Sequence, residues 1–85
     1  KDKGSLHTLA AIQCELKMYD EAIVNTQKAL QIDAKYNPAY IVLGNIYEKQ
    51  GNIADACANF RKACEYYDKT SSEESGCDKV TILCK

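Results

Sequence analysis

Asn37-Pro38-Ala39-Tyr40-Ile41-Val42-Leu43-Gly44-Asn45-Ile46-Tyr47, followed after Gly51-Asn52 by Ile53-Ala54-Asp55-Ala56-Cys57-Ala58-Asn59-Phe60-Arg61-Lys62-Ala63, decides the fold. Tyr40, Leu43, Gly44 and Tyr47 stand at i, i+3, i+4 and i+7, one stripe of an α-helix. Ala56, Phe60, Ala63 and Cys64 form a second stripe. Between the two, Gly51 suits a left-handed C-terminal cap and Asn52 an N-cap. Pro38 fits a first helical turn, where its missing N–H costs nothing, and Asn37 reads as the cap before it. The segment therefore predicts a hairpin of two amphipathic helices, the first running from Tyr40 to Gln50.

A shift of 34 residues finds a second copy upstream. Leu9 falls on Leu43, Ile12 on Ile46, Ala22 on Ala56, Asn25 on Asn59, Lys28 on Lys62 and Ala29 on Ala63. Leu6, Leu9, Ala10 and Gln13 repeat the first stripe. Ala22, Thr26, Ala29 and Leu30 repeat the second. Ala10 and Gly44, like Ala22 and Ala56, sit where the helices of a hairpin cross closely, and a larger side chain there would push the axes apart. A generic helical bundle is the competing reading.

These residues resemble the tetratricopeptide repeat. The second copy has the aromatic Tyr40, the Leu43-Gly44 pair, Tyr47, the turn Gly51, Ala56, the aromatic Phe60 and Ala63. The first copy departs from the pattern at Gln13, Lys17 and Thr26, where Tyr, Gly and an aromatic are usual. The resemblance covers about residues 3–68. It implies an all-α chain, a right-handed stack of antiparallel helical hairpins: one hairpin over 3–36, another over 37–70 and a closing helix in 71–85.

In the tail, Cys77, Val80, Thr81 and Cys84 again fall at i, i+3, i+4 and i+7, predicting a helix near 72–84, with Ser71 and Glu74 as a capping box. A short strand is the competing local reading, since Val80, Thr81 and Ile82 are β-branched. Cys57 and Cys64 are seven apart, as are Cys77 and Cys84. Seven residues are two helical turns, about 10.5 Å along one face. If the closing helix packs antiparallel on the helix beginning at Ile53, Cys64 faces Cys77 and Cys57 faces Cys84, because the residue numbers of both pairs then have the same sum. That arrangement gives disulfides Cys64–Cys77 and Cys57–Cys84 and leaves Cys14 free. Reduced core thiols are the bland alternative, cysteine being a good small buried apolar residue. A zinc site is disfavoured: sulfurs two turns apart on one helix cannot both reach one ion.

The cysteine-rich end also resembles bacterial extracytoplasmic relatives of the repeat, in which disulfides staple neighbouring helices. That resemblance implies an oxidising compartment, a periplasm or the cell exterior, with the cytosol as the alternative. The start, Lys1-Asp2-Lys3-Gly4, has no Met and no apolar signal core and reads as an excised or processed domain. The polar tail reads as the end of an array. Together these suggest the C-terminal part of a larger bacterial protein.

Composition narrows the function. Of 85 residues, 11 are Lys or Arg and 12 Asp or Glu, so no basic excess is present to neutralise nucleic-acid phosphates. No apolar run approaches the roughly 20 residues of a membrane span. His7 is the sole histidine. Ser5 lies two residues from it, and i and i+2 diverge on a helix. Cys14 shares a face with His7 but is two turns away, beyond a direct hydrogen bond. No Gly-rich phosphate loop, Glu-x-x-His or acidic calcium loop occurs. The expectation is no enzyme, no cofactor and no metal.

The resemblance implies instead a protein–protein interaction module that holds a peptide or partner helix in a concave groove lined by the first helix of each hairpin. Its lining would be His7, Ala11 and Cys14 from the first hairpin and Ile41, Asn45, Glu48 and Lys49 from the second, with the closing helix as the far wall. One family subtype grips a C-terminal carboxylate with a Lys and an Asn on the first helix. Here His7 and Ala11 occupy the corresponding first-hairpin positions and only Asn45 matches in kind, so no carboxylate clamp is expected. The alternative is a structural or self-assembly role: the helix Gly4–Leu16 carries Leu6, Leu9, Ile12 and Leu16, more apolar residues than one hairpin can bury, and would stack on another copy or on preceding repeats.

Overall fold

The computed structural model describes residues 2–67 and 75–84, and among them it has five helices and no strand. They are α1 (Lys3–Glu15), α2 (Tyr19–Ile32), α3 (Asn37–Lys49), α4 (Ile53–Glu65) and α5 (Cys77–Leu83). The 34-residue period is visible in the boundaries: α3 starts and ends 34 residues after α1, and α4 starts 34 residues after α2. α1 packs on α2 and α3 on α4, α3 also touches both helices of the first hairpin, and α5 lies on α4. The architecture is an all-α repeat stack.

Each turn follows from local chemistry. α1 begins on Asp2, whose carboxylate accepts the Ser5 N–H at 2.7 Å. α1 ends at Leu16, and Lys17 follows in the left-handed region at φ 64°. Gly51 does the same job after α3 at φ 81°. The chain closes both turns with matching bonds: the Met18 N–H donates to the Gln13 carbonyl and the Asn52 N–H to the Tyr47 carbonyl, each at 2.8 Å. Asn52 caps α4 through the Asp55 N–H at 3.3 Å.

The core comes in three linked patches. Ala10, Cys14, Ala22, Val42 and Ile46 join α3 to the first hairpin. Leu6, Ala29 and Ala39 extend that junction. Ile41, Ala56, Phe60 and Ala63 fill the second hairpin, with Tyr40, Tyr47, Val80 and Leu83 packed around them. Gly44 is buried for a definite reason: a Cβ there would lie 2.7 Å from the Phe60 ring. The first hairpin has Ala10 and Thr26 at the equivalent positions, a larger residue facing a smaller one, both fully buried. The Thr26 hydroxyl is satisfied by the Ala22 carbonyl at 2.6 Å. Where the second hairpin has Tyr47, the first has Gln13, which accepts from Asn25 at 2.8 Å and so ties α1 to α2. Lys3 and Asp33 join the free ends of the same hairpin at 2.8 Å. That ammonium, with the Lys35 N–H, holds the Asp33 carboxyl below its ordinary range.

Both cysteine pairs expected from the spacing stand at disulfide distance, Cys57–Cys84 with Cα atoms 5.3 Å apart and Cys64–Cys77 with Cα atoms 4.8 Å apart. Cys14 is free and buried. Two expectations need correcting, and a third lies outside the described residues. The closing helix begins at Cys77, five residues later than expected, because Gly76 adopts φ 81° and a right-handed helix cannot run through it. Its close fit explains the glycine: a Cβ there would meet Ile41 Cδ1 at 2.7 Å and Ala63 Cβ at 3.0 Å. The Ser71–Glu74 capping box lies outside the described residues. Asn37 does not cap α3, which includes it and is preceded by Tyr36 with no side-chain cap. Asn37 is buried and reaches across the fold instead, its amide NH2 donating to the Ala63 carbonyl at 2.5 Å and the Ser75 carbonyl at 3.2 Å. This one side chain couples the start of α3, the end of α4 and the approach to α5.

Candidate functional site

The face considered for a partner is built by α1 and α3, with α5 beside them. α1 and α3 are held in contact because Val42 and Ile46 of α3 insert among Ala10, Cys14 and Ala22 of the first hairpin.

The seven expected lining residues are placed unequally. His7 is half-buried, edge-on to the Tyr36 ring at 6.1 Å between centroids and 87° between planes. Ala11 is half-buried against the junction core. Asn45 is half-buried, and its amide makes no side-chain hydrogen bond to the described residues. Lys49 is exposed. Glu48 is engaged by Lys79 of α5, at 3.1 and 3.4 Å to its two carboxylate oxygens. Cys14, 3% exposed, and Ile41 belong to the core and offer a partner almost no surface. Ile41 lies under the start of α5, against Gly76. Of the seven, His7, Ala11, Asn45 and Lys49 keep solvent-exposed surface, while Glu48 is occupied by Lys79.

Two participants carried no signal in the sequence. Lys79 and Glu48 are 31 residues apart on different helices, so only the docking of α5 brings them together. Tyr36 borders His7 and also lies under the Lys3 ammonium, 4.9 Å from the ring centre. Its place just before Asn37-Pro38 gave no hint of that role.

Burial pushes the Cys14 thiol above its ordinary pKa, the reverse of what activates a nucleophilic cysteine. Burial likewise raises the Tyr40 phenol, with Tyr66 close by, and the Tyr40 hydroxyl donates to the Ala34 carbonyl at 2.9 Å. Among the described residues no group of three or more His, Cys, Asp or Glu converges to hold a metal ion, and no helix is long and apolar enough to cross a membrane.

The tetratricopeptide repeat family profile matches residues 38–70, which take in α3, α4 and the turn between them. No curated protein and no solved structure matches the chain.

Proposed function

With a tetratricopeptide repeat at residues 38–70 as the starting point, we propose that the chain is a protein-interaction module whose α1–α3 face binds a peptide or helix of a protein partner. The observation that carries this reading is the half-open row His7, Ala11 and Asn45 on two helices locked together by a shared core. A pre-organised surface of this kind loses little conformational freedom on binding. The small Ala11 leaves room for an incoming backbone. Asn45 supplies both a donor and an acceptor for it. Lys49 and Lys79 add positive charge at the edge, which Glu48 partly offsets. The two cysteine pairs at disulfide distance fit oxidising surroundings, so the module is read as extracytoplasmic.

Peptides selected from a displayed random library against the oxidised chain test the proposal. Peptides that bind this face should lose at least tenfold in affinity with Ala11→Arg or Asn45→Arg and keep it with Lys28→Glu on α2. Selected peptides indifferent to both arginine substitutions would sink this assignment.

A further inference from the structure

The second hairpin holds α5 by means that depend on redox state. Cys57 and Cys64 of α4 stand at disulfide distance from Cys84 and Cys77. All four of these cysteines are half-buried, so solvent reaches them, whereas Cys14 is sealed in the core. Little else fastens α5. It is seven residues long and has no buried residue of its own. A helix that short is not stable alone in water. Val80 and Leu83 rest against the core formed by Ile41, Phe60 and Ala63, and Gly76 packs closely on Ile41 and Ala63. The remaining tie is Lys79, whose ammonium donates to both carboxylate oxygens of Glu48 at 3.1 and 3.4 Å. An ion pair at this exposure adds little by itself. Glu48, though, belongs to the proposed peptide face, and Lys79 pairs with it only while α5 is docked.

We infer that α5 is a redox-operated latch on the α1–α3 face. With both bridges closed, Lys79 occupies Glu48. With both open, α5 leaves α4 and Glu48 returns to the face. The chemistry is thiol–disulfide exchange with a dithiol. One thiolate of the dithiol attacks a bridge sulfur and breaks the S–S bond, and the second then displaces the protein sulfur. Each bridge takes up two electrons and two protons and becomes two thiols, while the dithiol becomes a disulfide. Both bridges must open, because either one alone keeps α5 tethered to α4. The consequence for a partner rests on the peptide-face reading. Release of α5 changes the charged edge of that face from Lys49, Lys79 and Glu48 to Lys49 and Glu48 alone, two positive charges and one negative becoming one of each. The reduced face therefore favours a basic peptide segment more than the oxidised face does.

One arm of the test needs no peptide. The full chain is reduced with dithiothreitol, freed of it under argon, and compared with the oxidised chain by hydrogen exchange and by carbodiimide labelling of carboxylates. The helical amides of α5, those of Val80 and Cys84 among them, should exchange about tenfold faster after reduction, while α1 and α3 stay protected. Glu48 should label about threefold faster, since the Lys79 ammonium no longer covers its carboxylate. Oxidised Lys79→Met should label Glu48 at the reduced rate with α5 still protected, which assigns the effect to the ion pair. The inference is overturned if α1 and α3 lose protection as much as α5, if α5 stays protected without its bridges, or if neither reduction nor Lys79→Met changes the labelling of Glu48. The second arm takes peptides that bind the face and replaces their residues one at a time with Lys. The best Lys variant should gain about threefold in affinity on reduction relative to its parent, and Glu48→Gln should remove that gain. Bound peptides that show no such gain also overturn the inference. If no peptide binds in either state, the peptide face falls and the first arm still decides the latch.

Discussion

The two hairpins have the same length and register and are stabilised differently. The second fills its crossing with one large ring, Phe60 over Gly44, turns on a glycine, and is fastened to α5 by two cysteine pairs. The first crosses on Ala10 and Thr26, turns on a lysine held at positive φ, and has no staple. In place of the ring and the sulfurs it has polar ties: Gln13 to Asn25 and Lys3 to Asp33. The difference shows that the helical-hairpin backbone accepts either pair of residues at the crossing. It also shows that the first hairpin depends on the second, which supplies Val42 and Ile46 to its core.

The sharpest way to break this contrast is at the shared crossing. Phe60→Ala should destabilise the protein by about 4 kcal/mol, since it removes a fully buried ring and leaves a cavity. Thr26→Phe in the first hairpin should cost about 2 kcal/mol through overpacking, and adding Ala10→Gly should recover much of that loss if crossing volume is what the two hairpins conserve. Urea unfolding of the oxidised proteins measures both, and a double variant no better than Thr26→Phe alone would refute the volume argument.

Reduction is the next largest effect. Opening both cysteine pairs should lower stability by about 3 kcal/mol, less than twice the value of one loop because one pair nests within the other. Hydrogen exchange should lose protection first in α5, which has no buried residue of its own, and last in α3. Equal loss of protection in the first hairpin would show that the staples support the whole stack.

Asn37 sharpens the comparison further. Asn37→Asp should cost about 2 kcal/mol at neutral pH, because a carboxylate would face the Ala63 and Ser75 carbonyls where an amide now donates. Its counterpart in the first hairpin, Lys3, pairs with Asp33 at a half-exposed surface, so Lys3→Ala should cost well under about 1 kcal/mol. Chemical denaturation of the two variants side by side gives the difference, and equal losses would contradict the cross-fold role of Asn37.

The smallest change is a gain. Lys17→Gly should stabilise by about 0.5 to 1 kcal/mol, the relief of a left-handed lysine less the entropy of a glycine. Gly51→Lys should lose a similar amount. Melting curves of the pair check the sign, and a loss from Lys17→Gly would mean the lysine side chain contributes more than its backbone costs.

What the sequence made legible were the features that repeat. The 34-residue period located both hairpins, and the seven-residue cysteine spacing on two helices gave both pairings. Gly51 and Asn52 could be read at once because turns and caps are local chemistry. Asn37 was misread for the complementary reason. Beside Pro38 it has the local look of a cap, and the carbonyls it serves are 26 and 38 residues away. The start of α5 slipped because helical spacing carries on through Gly76, whereas the backbone is fixed by how closely that glycine approaches Ile41 and Ala63. The candidate face was legible as a row of positions. Its thinning at Cys14, Ile41 and Glu48 was not, since that depends on how deeply α3 sinks into the first hairpin and on where Lys79 lands.

The nesting of the two cysteine pairs has a topological result. Every peptide bond between Cys64 and Cys77 lies inside both covalent rings. A protease that cuts any one of them leaves a single molecule of unchanged connectivity between α4 and α5, heavier by one water, and the two fragments part only when both bridges are reduced.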